Sequence, residues 1–350
     1  MSRLYDLAIV GAGLSALSAL QAGIASLRTV VLDYQDAPGG FLKAALPAPG
    51  FEEAWELVQS SRIPQQVTTF YGTTAVGLLP ALEAGEPHVL IVRQRQGTEE
   101  IHAQRVLIAC GGLELTREHA QIPGTRPAGV ITPVLAHQLL SRGYLPGKRA
   151  VVYGDSRYVR ATAQRLAGVG IEVTLVLPPK VEATRAAALP PVTYAGRFFN
   201  ERAGGGTAGD HKGPPSHSSP PSPLRTDNDL SNKPTRESPP GEQPSLTGAE
   251  LIAIEGFPRL EKVKFRRDGQ LFDVPADTLV YGTGMMANTH WLKGSGIITG
   301  EYGTIQVSSF YQTNVQGVYA VGTVIAPSLD HAGSIAMGKE VASLLVGGTQ

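Results

Sequence analysis

The stretch YDLAIVGAGLSA, at residues 5–16, decides the fold of this chain. It begins with an apolar run typical of a buried strand, and the alanine- and leucine-rich residues 15–26 predict a helix directly after the glycines. A second apolar run at 29–32 ends at Asp33. The order of strand, glycine-rich turn, helix, strand and acid predicts a β–α–β unit that binds a dinucleotide.

Each position of the motif has a physical role in such a unit. Gly11 permits the tight turn, Gly13 lets the backbone approach a pyrophosphate, and the small Ala16 lets the helix pack closely on the sheet. Leu14 and Ser15 open the helix, so its positive amino-terminal end faces the phosphates. The acid that ends the second strand is placed to accept a hydrogen bond from the adenosine ribose.

The composition excludes several classes of protein. With 350 residues, 42% of them hydrophobic, the chain can build two α/β domains. Its 30 basic and 30 acidic side chains balance, which argues against a nucleic-acid partner. The single cysteine, Cys110, excludes an intrachain disulfide framework and a cysteine-ligated iron–sulfur site. The histidines show no metal-ligand spacing, so no metal site is predicted.

One uncharged run, at 7–27, imitates a membrane anchor. Its glycines and serines, and its change of period at the glycines, favour a buried strand and helix instead. No other window approaches the length of a membrane span. We therefore expect a cytoplasmic protein with no membrane span.

Strands and helices alternate along the rest of the chain, which predicts parallel sheets with helices on both faces. A second strand–helix–strand unit is predicted at 149–153, 158–167 and 172–177. A last strand and helix are predicted at 317–321 and 331–345. The predicted fold class is α/β, with two interleaved Rossmann-like, three-layer dinucleotide-binding domains.

The two domains are predicted to share the chain unequally. Residues 1–117 and 278–350 would form the first domain, and 118–277 a second, NAD(P)-binding-like domain. Within the second, residues 204–248 hold nine prolines, seven serines and seven glycines. Such a segment cannot offset its ordering entropy by burial, so we expect a disordered insert. A tolerated surface loop is the favoured interpretation, and a proline-rich ligand for a partner is the alternative.

Further segments indicate which dinucleotide is bound. Gly39-Gly40, followed by Phe41, lets the chain run close over a flat, extended cofactor. A late strand ends at Gly322-Thr323.

The helix after that strand opens at Asp330 and His331, and its amino-terminal amides would favour an anion developing on a reduced flavin. His331 could assist proton transfer at the ring. The favoured interpretation is simpler, with Asp330 as the N-cap and His331 facing solvent.

Together these segments resemble a two-domain flavoprotein of the pyridine nucleotide-disulfide oxidoreductase superfamily, at the size of thioredoxin reductase. The three FAD marks of that superfamily are matched in order: the glycine motif with its acid and paired glycines, the strand at 106–112, and the strand ending at Gly322. The middle section, at 127–132 and 145–152, is similar to FAD subunits of hydrogen cyanide synthase, of opine and proline dehydrogenases, and of sarcosine oxidase.

The chain also departs from the superfamily pattern. Thr323 stands where Asp is usual, and its hydroxyl can still bind the ribityl chain. Cys110 stands where Thr is usual; it lacks a resolving partner, so a buried, structural thiol is favoured over a redox one. In the second unit, Ser156 and Val159 replace two glycine-motif positions after Gly154, so NAD(P) binding is doubtful.

The resemblance implies an FAD-dependent oxidoreductase, a dehydrogenase or reductase, whose flavin takes up two electrons and passes them on. The predicted cofactor-binding residues are Gly11, Gly13, Leu14, Ser15, Asp33, Gly40, Phe41, Val76, Cys110, Gly111, Gly322, Thr323, Asp330 and His331. No catalytic acid or base is nominated.

The expected partners are a small-molecule substrate and an electron-transfer protein or subunit, in a homo- or hetero-oligomer. Two alternatives stay open. One is a free-standing NAD(P)H-dependent reductase, similar to the thioredoxin-reductase-like ferredoxin reductases. The other is a non-catalytic subunit that resembles a flavoprotein.

Overall fold

The computed structural model describes residues 4–43, 51–179 and 245–347, which all belong to one compact unit. The α-helices of these residues are α1 (Leu14–Gln21), α2 (Glu52–Ser60), α3 (Pro133–Ser141), α4 (Arg157–Gly168) and α5 (His331–Gly347). The strands of the amino-terminal half are β1 (Leu4–Val10), β2 (Thr29–Leu32), β3 (Thr68–Phe70), β4 (Thr74–Leu79), β5 (His88–Gln94), β6 (Gly97–Ile108), β7 (Gly112–Glu114) and β8 (Val130–Ile131). The later strands are β9 (Arg149–Gly154), β10 (Glu172–Leu177), β11 (Ser245–Thr247), β12 (Glu250–Glu255), β13 (Lys262–Arg267), β14 (Gln270–Pro275), β15 (Thr278–Gly282), β16 (Met285–Ala287) and β17 (Val318–Ala320).

The first sheet has the strand order β3-β2-β1-β6-β5-β4, with β17 also pairing β6. Strands β3, β2, β1, β6 and β17 run parallel, whereas β4, β5 and the start of β6 form an antiparallel meander. The long strand β6 serves both parts, because its first half pairs β5 and its second half pairs β17.

Both faces of this sheet are buried at β1, which explains the apolar run at residues 7–10 of that strand. Ala8 and Val10 pack into one core cluster, and Leu7 and Ile9 pack into the cluster beneath α1 and α5. The apolar pattern of the sequence therefore predicts the strand correctly, and the carboxyl end of β1 delivers the glycine-rich turn to the edge of the sheet.

The second sheet is parallel throughout, in the order β11-β10-β9-β15-β8. Its central strand β9 is also buried on both faces, with Val151 and Tyr153 in one cluster and Ala150 and Val152 in another. Two sheets of this kind confirm the predicted α/β fold class with two Rossmann-like halves. Strands β12, β13 and β14 form a separate antiparallel sheet, and β16 pairs antiparallel with β7.

Two predicted boundaries need correction. The strand β15 pairs with β9 and β8, so residues 278–282 complete the second sheet and do not begin the returning part of the first domain. The end of the predicted insert is also different, because β11 extends the second sheet beside β10 and Ala249 is buried. Residues 204–244 of that insert lie outside the described part of the chain.

The first helix is shorter than the predicted span 15–26. It ends at Gln21, and a single 3-10 turn at Ile24–Ser26 follows. Gly23 separates the two with a φ of 108°, a left-handed conformation that α-helical geometry does not allow. Among the described helices, none is both long and apolar enough to cross a membrane.

Candidate functional site

The glycine-rich turn lies between β1 and α1, against the end of β6. Gly11 has a φ of 103°, and a Cβ there would collide with the carbonyl oxygen of Ala109. Gly13 is the N-cap residue of α1 and has an ordinary φ of −82°. A Cβ at Gly13 would meet nothing within 4 Å, so the space over it is open to a ligand. The turn therefore needs Gly11 for its own fold, whereas Gly13 leaves room above the helix end.

The carboxylate of Asp33 is hydrogen-bonded to this turn. Its Oδ2 accepts from the Ala12 amide at 2.6 Å, and its Oδ1 accepts from the Gln35 amide at 2.8 Å. Burial raises the pKa of Asp33, and the two amide hydrogen bonds oppose that shift. Each carboxylate oxygen keeps a free lone pair. Asp33 can thus accept further hydrogen bonds beside the glycine-rich turn.

The paired glycines pack directly on the same turn. The Gly39 amide donates to the Ala12 carbonyl at 2.8 Å, and a Cβ at Gly40 would lie 3.5 Å from the Gly13 Cα. Phe41 follows in the 3-10 turn Gly40–Lys43. The structure therefore brings Gly11, Gly13, Asp33 and Gly40 together at one edge of the first sheet.

The side chains of Leu14 and Ser15 point away from that edge. Leu14 packs in the cluster of α2 and α4, and Ser15 is buried against Gly322 and Gly338 of the carboxyl-terminal segment. Both residues can contribute only backbone amides to a phosphate site. Val76 lies on β4, at the far side of the sheet from β1, and is 43% exposed. No described contact joins Val76 to the other predicted residues.

A second group of predicted residues meets at the ends of β6 and β17. A Cβ at Gly111 would lie 3.3 Å from the hydroxyl of Thr323, which follows Gly322 in a 3-10 turn. The Cys110 thiol donates to the Asn288 carbonyl at 3.2 Å. Burial raises the pKa of Cys110 to about 12, so this thiol stays protonated near neutral pH. Cys110 is positioned as a structural thiol beside the backbone of Gly111.

The amino-terminal end of α5 carries Asp330 and His331. Asp330 is the N-cap: its Oδ1 accepts from the Gly333 amide at 2.8 Å. His331 was predicted to face solvent, and this is wrong, because only 8% of the residue is exposed. Phe51 and Tyr158 cover its ring, with ring centres 4.8 Å and 5.5 Å away.

The Tyr158 hydroxyl and His331 Nε2 are 2.6 Å apart. Burial raises the pKa of Tyr158 to about 12, so the hydroxyl keeps its proton. Burial, together with the nearby Arg157, lowers the pKa of His331 to about 4. A neutral phenol therefore meets a neutral imidazole. When the hydroxyl donates to Nε2, the imidazole proton lies on Nδ1, which has no hydrogen-bond partner among the described residues.

The corresponding turn of the second sheet is filled by its own side chains. Ser156, the N-cap of α4, accepts from the Val159 amide at 3.3 Å through its hydroxyl. Val159 is fully buried, and its Cγ2 lies 3.0 Å from where a Cβ of Gly154 would stand. Arg160 forms an ion pair with Asp155 across the turn. The Val159 amide, which a phosphate would need as a donor, is thus already hydrogen-bonded to Ser156. The Val159 side chain fills the space that the third glycine of a G-x-G-x-x-G motif would leave open.

An open cleft of about 470 Å³ lies beside Phe41, with Tyr34, Glu114, Thr132 and Tyr281 also in its wall. Both oxygens of Glu114 lie 3.1 Å from the Val134 amide in the first turn of α3. Burial raises the pKa of Glu114, and hydrogen bonds from the Thr132 side chain and the Val134 amide partly oppose that shift. The cleft thus holds a carboxyl group that is more easily protonated than an exposed glutamate.

Comparisons with known proteins agree with the observed fold. The family described as pyridine nucleotide-disulphide oxidoreductase matches residues 246–338. The thioredoxin reductase of T. acidophilum is 17% identical, with each chain covered over 100% of its length and a TM-score of 0.67. The chain therefore shares the fold of this thioredoxin reductase. This confirms the predicted fold, and the family match over residues 246–338 is consistent with the superfamily that the sequence resembles.

Two further solved structures share the fold. The thioredoxin reductase of Lactococcus lactis is 17% identical, with 98% of each chain covered and a TM-score of 0.64. The L-proline dehydrogenase of P. horikoshii is 16% identical over 99% of this chain and 56% of that one, also with a TM-score of 0.64. The likeness to these two structures is one of fold.

Another buried histidine, His137 on α3, makes stability depend on pH. Its Nδ1 accepts from Arg165 at 2.9 Å, so its proton lies on Nε2 and is donated to the Thr162 hydroxyl at 3.1 Å. Thr162 in turn donates to the Tyr158 carbonyl at 2.6 Å. This network needs a neutral imidazole. Burial, reinforced by the Arg165 charge, lowers the pKa of His137 to about 4.

We expect the free energy of unfolding to fall as pH drops from about 6.5 towards 4. Over that range the folded protein binds fewer protons at His137 than the unfolded chain, which costs up to about 3 kcal/mol. In His137→Gln the side chain cannot titrate, so the loss between pH 6.5 and 4.5 should be smaller by about 2 kcal/mol, the part of the effect that falls within that range. Urea unfolding of both proteins at the two pH values measures the difference. Equal losses in the two proteins would contradict the prediction.

Proposed function

We propose that the chain binds FAD at the edge of the first sheet and works as a flavin-dependent oxidoreductase that passes electrons between a small substrate and a partner protein or carrier. The observation that carries the proposal is the cradle made by Gly11, Gly13, Gly40 and Asp33. An open space lies over Gly13 at the start of α1, and a carboxylate with free lone pairs lies beside it. A pyrophosphate with an adjoining ribose has the charge and donors for this cradle.

The flavin end of the cofactor fits the second group of residues. Thr323 would bind the ribityl chain through its hydroxyl, next to the backbone of Gly111. The buried Nδ1 of His331 has no partner among the described residues, and a buried polar atom normally has one. His331 would therefore meet the ring system at the amino-terminal end of α5, where the helix dipole favours negative charge. Bound FAD supplies a two-electron acceptor there.

The remaining residues would position the substrate and keep water out. Phe41, which follows Gly40 of the cradle in the chain, lies in the cleft wall, so a small molecule in the cleft would lie near the proposed FAD site. Phe51 and Tyr158 close the other side of His331. Glu114 is the group in the cleft wall proposed to hold or release a proton.

The second sheet is proposed to have lost nicotinamide binding. The hydroxyl of Ser156 occupies the Val159 amide, and the Val159 side chain fills the position of the third glycine. The electrons would therefore come from a donor other than NAD(P)H, either a small molecule or a partner protein. The free-standing reductase is the competing function, and it requires a nucleotide at this turn.

The absorption spectrum of the purified chain, followed by anaerobic mixing with NADH and NADPH, tests the proposal. We expect flavin bands near one FAD per chain, and bleaching much slower than the turnover of an ordinary enzyme. A colourless, folded protein that rejects added FAD would contradict flavin binding. Complete bleaching within about 1 s would instead favour the nicotinamide-dependent reductase.

A further inference from the structure

Two buried side-chain polar atoms lack a hydrogen-bond partner within the part of the chain that the structure describes. They are His331 Nδ1 and Asn288 Oδ1. Buried polar atoms in folded proteins nearly always have a partner, so an orphaned atom marks a place where a ligand or water binds. His331 lies in a segment that the sequence pattern assigns to the flavin. Asn288 lies in none of the glycine motifs.

The backbone of Asn288 is held on both sides by neighbouring loops. Its amide donates to the Gly111 carbonyl at 3.0 Å. Its carbonyl accepts from the Cys110 thiol at 3.2 Å and from the Trp291 indole at 3.0 Å. These bonds fix the main chain without using the side-chain carbonyl oxygen. The orphaned Oδ1 is therefore not needed to hold the loop in place.

The position of Asn288 links it to the proposed flavin end. It follows β16, whose residue Ala287 pairs with Gly112 of β7. Gly111 accepts the Asn288 amide, and a Cβ on Gly111 would lie 3.3 Å from the Thr323 hydroxyl. Asn288, Gly111 and Thr323 thus lie close together although they come from three segments that are far apart in the sequence.

We propose that the Asn288 side chain is a further FAD contact, with Oδ1 accepting a hydrogen bond from an O–H or N–H group at the ribityl–flavin end. This inference depends on the proposed FAD function. It explains why an amide oxygen remains buried without a partner beside Cys110 and Gly111. It also adds a contact from the segment after β16, which the glycine motifs do not indicate.

The variant Asn288→Leu tests the contact, because leucine has a similar shape and cannot accept a hydrogen bond. FAD release after dilution of the holoprotein is followed by flavin fluorescence. We expect release about ten-fold faster than in the wild type, the effect of losing about one buried hydrogen bond. The melting temperature in excess FAD should fall little, since Asn288 Oδ1 has no hydrogen-bond partner among the described residues.

Asn314→Leu is the matched control. Asn314 accepts from the Ile298 amide and donates to the Gly296 carbonyl, both at 2.9 Å, so its role is structural. This control should lower the melting temperature and leave FAD release unchanged. If Asn288→Leu does not fold, Asn288→Ala removes the same oxygen without adding bulk.

The outcomes separate this inference from the proposed function. A wild-type chain that holds no FAD overturns the function and this inference with it. A wild type that holds FAD, with Asn288 variants that release it at the wild-type rate, overturns only the Asn288 contact. Such a result would mean that water satisfies the buried oxygen.

Discussion

Gly13→Ala is expected to weaken FAD binding about 100-fold, equivalent to about 3 kcal/mol. The added methyl group would occupy the open space over the start of α1, where the pyrophosphate must approach the helix amides. Those amides would then lose short, charge-assisted hydrogen bonds to the phosphates. Titration of the FAD-depleted protein with FAD, followed by fluorescence, measures the change.

The fold itself should tolerate this substitution. Gly13 has a φ of −82°, and a Cβ there meets no protein atom within 4 Å, so alanine costs only a weaker N-cap, less than about 1 kcal/mol. The matched control is Gly168→Ala at the end of α4, where a Cβ also meets nothing. The control should keep full FAD affinity. If Gly13→Ala binds FAD as tightly as the control does, the pyrophosphate does not lie over this turn.

Phe51→Ala is expected to lower the free energy of unfolding by about 3–5 kcal/mol. Phe51 is 2% exposed and meets Tyr158 edge-on at a ring-centre distance of 5.2 Å. It also covers His331 at 4.8 Å. Removing the ring leaves a cavity among α2, α4 and α5 and opens the imidazole to water. Denaturant unfolding of the FAD-bound protein measures the loss.

Phe257→Ala serves as the control, because 85% of Phe257 is exposed. Its unfolding free energy should stay within about 0.5 kcal/mol of the wild type. Similar losses in the two variants would show that the Phe51 cluster is not a packed part of the core. A second consequence is specific to Phe51→Ala: hydration of His331 should raise the pKa of its imidazole from about 4 towards its ordinary value.

Much of the fold could be predicted because its signals are local. The run before Gly11 is apolar at every core-facing position of β1, and the turn chemistry of the glycines lies within a few residues of the strand they end. The same holds for β9 and α4 of the second sheet. The predicted end of the first helix was wrong because its apolar pattern continues beyond α1. Gly23, with its positive φ, separates α1 from the 3-10 turn that follows.

The sequence motifs nominate residues in both parts of the candidate site, Gly111 and Thr323 included, but not the residues that surround them. The edge formed by Gly11, Gly13, Gly40 and Asp33 comes from one short segment with a recognisable pattern. The exposure of His331 was predicted wrongly, because Phe51 and Tyr158, which cover it, are distant in sequence and carry no pattern that connects them to α5. Asn288 was missed for the same reason, since its one signal is a buried oxygen without a partner.

The sequence by itself determined the parallel β–α–β units and the replacement of two glycine-motif positions in the second unit. These properties depend on strand periodicity and turn sterics, which act between neighbours in the chain. Only the tertiary structure decided that β15 completes the second sheet, that His331 is buried and that the backbone of Asn288 is hydrogen-bonded to Cys110 and Gly111. Each of these depends on packing between segments more than 100 residues apart, where burial and hydrogen-bond satisfaction act on surfaces that exist only in the folded chain.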